Sequence, residues 1–186
     1  MATRGVVLAV EVLLDGAGAT AAAVAREGRC AEGPRYQRPV PGVGAAQRVA
    51  AARAATIQPY ADARPALDRL LAAGTRVAVL VRREDPALRR GLARLDLDAR
   101  VLVLGPEALG GSAARPPADA DRCRSACAAL GTRVEETVVV GDAALVQAAV
   151  DAGTHAVWVN RADRRELEGV LTVPGLDALP TALALL

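Results

Sequence analysis

Five short runs dominated by valine and leucine recur along this chain, each too short to span a membrane and most followed by a stretch that favours helix. Residues 6–14, 76–81, 100–104, 136–141 and 154–159 read as strands buried on both faces, because such strands show near-continuous apolar runs rather than alternation. Between them, residues 61–73, 85–95, 119–130 and 143–152 read as helices, with Gly74 as a stop, and a short terminal helix begins at Asp177. Strands alternating with helices of this length give right-handed crossovers and a parallel sheet covered by helices. The fold class expected is α/β, a Rossmann-like three-layer sandwich with a mostly parallel central sheet.

Residues 27–59 break the rhythm. Gly28, Gly33, Pro34, Pro39, Pro41, Gly42 and Gly44 surround a short alanine-rich helix at 45–54, as expected of a small cap or arm inserted into a single domain of 1–186. A second loop, 105–117, is rich in glycine, proline and alanine, and residues 160–165 read as a charged turn.

Composition removes several classes of function. All 23 basic residues are arginine, so no lysine can serve as a Schiff-base nucleophile or Walker-type phosphate ligand. Phe is absent, aromatics are 2% and the net charge is +2, which argues against a nucleic-acid partner. Charges interrupt every apolar stretch, so no membrane span is expected. The apolar run near the start is short and carries Glu11, a poor secretory signal, and three cysteines cannot close into pairs. A cytoplasmic, reducing setting is the expectation. Cys123 and Cys127 share a helix face, but a single histidine, His155, leaves little to complete a zinc site.

In a parallel sheet, ligands sit beyond the carboxyl ends of the strands. That rule nominates Glu11 or Asp15 after the first strand, Arg82 and Arg83 after the second, and Asp142 after the fourth. No Gly-x-Gly-x-x-Gly fingerprint follows the first strand, since Ala21 stands at the third glycine position, so a dinucleotide is not expected. Glu11 lies in an apolar run, and a buried carboxylate must face a polar pocket, meet an arginine such as Arg82 or Arg115, or hold a proton. Asp142, before Ala143-Ala-Leu145, reads equally as a ligand and as a helix N-cap.

From about Tyr60 onward the chain resembles the haloacid dehalogenase (HAD) superfamily of phosphatases and dehalogenases. The helix at 61–71, the unit from Gly74 to Val81, the segment from Ala129 through the strand to Asp142, and residues 148–160 carry the resemblance by their order and spacing. It implies four catalytic stations. A first-strand aspartate attacks phosphorus or carbon, and a second acid two residues on handles the leaving-group proton. A Ser or Thr after the second strand and a downstream lysine hold phosphate, and acids after the fourth strand hold Mg2+.

Each station is altered here. The overlay puts Ala9 on the nucleophile and Glu11 on the acid/base. Val81 replaces Ser/Thr, with Arg82 beside it. Arg115-Pro-Pro-Ala118 stands for Lys-Pro-x-Pro, which places Pro117 on the lysine and leaves Arg115 as the substitute. Asp142 persists without a second acid. A second overlay slides the first strand along, making Asp15 the nucleophile at the end of a nine-residue strand.

The resemblance thus implies a HAD-like protein that has lost phosphoryl transfer and serves as a binding, scaffolding or regulatory domain. The alternative is a repurposed or active HAD-type hydrolase, a Mg2+-dependent phosphatase or a dehalogenase, working through Asp15 or Glu11 with Asp142. No cofactor is expected beyond the Mg2+ that Asp142 would hold if its station still works. Residues 27–59, with Arg35, Tyr36 and Arg38, are the expected surface for a protein partner or a second copy, and the pocket is expected to suit a small molecule.

Overall fold

The structure is a computed structural model that describes residues 3–15, 57–82, 85–97, 99–109, 119–162 and 167–186. The centre is β1 (Gly5–Ala9), all five residues of which are buried. It pairs in parallel with β4 (Arg76–Leu80) on one side and β6 (Thr137–Gly141) on the other. Outward from these lie β5 (Val101–Leu104), β7 (His155–Val159) and β8 (Leu171–Val173), completing a six-stranded parallel sheet in the order β5-β4-β1-β6-β7-β8. Valine suits such a strand because its branched side chain packs well against both helical layers.

The chain leaves β1 in an unexpected way. Residues 6–14 read as one strand, but the strand stops at Ala9 and is followed by a single helical turn, α1 (Val10–Leu13). Two residues, β2 (Leu14–Asp15), then pair antiparallel with β3 (Gln58–Pro59), so that the segment between them departs and returns at one place. Within the turn Val10, Val12 and Leu13 are buried and Glu11 alone is half-buried. The overlay that puts Asp15 at the tip of a long first strand does not match this geometry. Residues 16–56, which make up most of the expected arm at 27–59, lie outside the described residues, as do Arg83, Arg115 and Pro117.

The helices follow their expected positions closely: α2 (Ala63–Ala72), α3 (Pro86–Ala93), α4 (Asp119–Leu130) and α5 (Ala143–Ala152). Asp85 caps α3 by accepting from the Ala87 N–H at 2.7 Å, with Pro86 in the first turn where its missing N–H does no harm. At the end of α5, Gly153 takes φ +83°, a left-handed conformation that a side chain would strain. The terminal helix, α6 (Leu179–Leu183), starts two residues after the expected Asp177, behind a tighter turn at Leu176–Ala178. Strand β8 was not anticipated, three residues being too few to show a period. Among the described residues no helix is long and apolar enough to cross a membrane.

Candidate functional site

All six main strands run the same way, so their carboxyl ends converge with the N-termini of α4 and α5. A cleft of about 200 Å³ opens there, lined by Glu11, Tyr60, Asp142, Trp158, Asn160 and Arg161 among others. The structure therefore brings Glu11 and Asp142 together, joining residues from the first and fourth expected strands.

The tip of the central strand bears no reactive group. Ala9 is 1% exposed, pairs with Leu80 of β4, and opens α1 with no side-chain cap. At the tip of β4, Val81 is likewise buried, and its backbone is engaged on both sides: its N–H donates to the Leu104 carbonyl at 2.9 Å and its carbonyl accepts from Arg122 Nη2 at 3.3 Å.

Asp142 works as a helix cap, accepting from the Leu145 N–H at 2.9 Å through Oδ1. The same oxygen accepts from Arg82 Nη2 at 3.3 Å, and Arg82 also lies 4.0 Å from Asp119 Oδ2. Asp119 in turn accepts from the buried Arg122 at 3.1 Å. A chain of alternating charge, Asp142–Arg82–Asp119–Arg122, thus runs along one wall.

Glu11 stands apart from it. Its Oε2 is buried and has no hydrogen-bond partner among the described residues, and the expected ion pair with Arg82 does not form because Arg82 turns to Asp142. Burial pushes the Glu11 carboxyl above the ordinary glutamate value. A hydrogen bond from its own backbone and the charge of Arg82 pull the other way, while Asp142 adds to the rise.

Arg161 was expected to pair within the charged run that follows β7. Instead it reaches back 99 residues to Asp62, donating to both carboxylate oxygens at 2.9 and 2.8 Å. It also donates to the Val12 carbonyl at 3.1 Å and stacks 3.8 Å over the Tyr60 ring. Asp62 further accepts from the Leu176 N–H at 2.8 Å. Although burial works against ionisation, these bonds hold the Asp62 carboxyl below its ordinary value. Tyr60 donates to Asp15 at 3.3 Å, which places Asp15 at the exposed rim of the β2–β3 ladder rather than on the cleft wall. Asn160 and Arg161 follow the carboxyl end of β7, so applying the strand-end rule to that strand too would have found them.

The described residues are a poor fit for Mg2+. The ion takes six oxygens in a strict octahedron, with water supplying those that one or two carboxylates do not, and among the described residues no three His, Cys, Asp or Glu side chains are grouped to hold a metal. Asp142 Oδ1 is already shared by a guanidinium and a backbone N–H, and that fixed cation works against a second one beside it.

No protein-family model matches the sequence, and no curated protein matches it. Solved structures do. A dehalogenase in an intermediate complex superposes with a TM-score of 0.72 at 20% identity, over 99% of each chain. An L-2-haloacid dehalogenase gives 0.68 at 16% identity, over 99% of this chain and all of the other. A HAD family hydrolase from Deinococcus radiodurans, with bound phosphate and sodium, gives 0.69 at 19% identity, over 97% of this chain and 95% of its own. At these identities the likeness speaks for architecture, and it agrees with the parallel sheet and the resemblance read from the residues: the chain has the haloacid dehalogenase-like fold.

Proposed function

We propose that this chain is a HAD-fold protein without phosphoryl-transfer or dehalogenating activity, whose strand-end cleft serves binding, scaffolding or regulation. The observation that carries this reading is Ala9: the central strand ends on a buried methyl group where covalent chemistry in this fold would need a nucleophile. A carboxylate elsewhere does not replace it, because the reacting atom must be held in line by the elements that converge on this strand end. Val81, which offers phosphate no hydroxyl, and the guanidinium of Arg82 held on Asp142 Oδ1 fit the same reading.

Glu11 favours a second reading. A carboxyl whose pKa burial raises, in one cleft with Asp142, is an arrangement that a general acid uses, and it suits an enzyme that needs no covalent step.

The test is release of phosphate from p-nitrophenyl phosphate and acetyl phosphate, and of halide from 2-chloropropionate, with and without Mg2+. The proposal predicts rates equal to buffer for the wild type, D15N and E11Q alike. Release abolished by D15N or E11Q would overturn it.

A further inference from the structure

We infer that Arg82 is a built-in counter-cation, which neutralises the Asp142 station from within and makes it blind to divalent metal. This stands on Arg82 and is independent of whether Ala9 ends the chemistry, since a metal-free hydrolase would be equally compatible with it.

Three observations converge on it. The Arg82 guanidinium lies 3.3 Å from Asp142 and 4.0 Å from Asp119, so it bridges the acids that open α5 and α4. Arg122, held at 3.1 Å from Asp119, is almost wholly buried and bonded to the Val81 carbonyl, so the second arginine is fixed to the end of β4, one residue from Arg82. Two guanidinium groups then face two aspartates, and the wall closes its charge with no ion added. An arginine holds its charge at any pH the protein meets, so this neutralisation is permanent.

The position is also the right one for such a device. Arg82 follows Val81 directly, at the strand end beside β1, and its side chain is 29% exposed against 46% for Asp142. The Arg82 side chain is therefore the more enclosed partner of the pair. The cleft's other carboxyl, Glu11, has a buried Oε2 with no hydrogen-bond partner among the described residues.

The experiment is a calorimetric titration of Mg2+ into the purified chain and five variants: R82M, R82Q, R82K, D142N and R82M/D142N. The wild type and R82K should show no saturable heat at millimolar Mg2+. R82M and R82Q should gain at least about tenfold in apparent affinity, and R82M/D142N should lose that gain. Circular dichroism identifies a variant that has not folded, and either neutral substitution suffices for the comparison. Saturable binding by the wild type that disappears in D142N would overturn the inference, as would folded R82M or R82Q binding no more tightly than R82K. If both neutral variants fail to fold, the wild-type and D142N titrations decide: Asp142-dependent binding refutes the device, and its absence supports it. The phosphate and halide assays above report separately on the loss of catalysis.

Discussion

Arg161 joins Asp62, Tyr60 and the Val12 carbonyl, and so ties the end of β7 to the start of α2 and to the turn after β1. R161M keeps the stem and removes the charge, leaving Asp62 partly buried with one bond from Leu176. Urea unfolding should show a loss of about 2–4 kcal/mol at neutral pH. Because Asp62 is held below its ordinary value of 3.8, its contribution is present above that pH and is lost as the pH falls through the lower folded value. The gap between R161M and the wild type should therefore narrow in strong acid. Glu11 carries the opposite sign. Its raised value means that folding takes up a proton, so the site weighs against stability at neutral pH and ceases to do so below the ordinary glutamate value. E11Q should raise the midpoint at pH 7 by on the order of 1 kcal/mol, with the gain fading towards pH 4. A gain that is the same at both pH values would mean that folding does not raise the pKa of Glu11. That Glu11 would face a polar pocket or hold a proton was legible beforehand, but the contact of Arg161 was not. The partner of Arg161 lies 99 residues away, and its local neighbours offered simpler pairs.

The elements were the most readable level. The strands at 76–80, 101–104, 137–141 and 155–159 and four helices fall within two residues of their expected ends, because Val-rich runs, Gly74 and the caps at Asp85 and Asp142 each have a local physical cause. What escaped was short. Val10–Leu13 is one helical turn inside an apolar run, where helical and strand periods cannot be told apart, and the two-residue β2 and β3 have no period at all. This matters for the site, since the turn moves Asp15 off the strand tip and aims Glu11 at the cleft. The junction of β6 and α5 is closely packed. A Cβ on Gly141 would lie 2.9 Å from Leu145 Cδ2 and 3.1 Å from its Cβ, and the latter cannot swing aside. G141A should cost about 1–3 kcal/mol, measured by thermal or urea unfolding. An unchanged midpoint would show that α5 can shift away from the strand.

The whole molecule is organised around β1, every residue of which is buried and which pairs with a strand on each edge. Val7→Ala, at a position with no exposed surface, should lose about 2 kcal/mol or more. Val103→Ala, half exposed on the edge strand β5, should stay within about 0.5 kcal/mol of the wild type. Paired unfolding curves compare the two directly. The position of this central strand in the fold was legible from the sequence, and so was the alanine that our proposal puts where a nucleophile would stand. The internal pairing of Arg82 with Asp142 was not, because Arg82, Arg115 and a metal were all equally open to the acids. Intact-mass spectrometry of the chain incubated with acetyl phosphate and Mg2+, and separately with 2-chloropropionate, tests the central claim most directly. The account predicts an unmodified mass in both cases. A covalent adduct mapped to Asp15 or Glu11 would contradict it, because the chain would then possess the nucleophile that the end of β1 lacks.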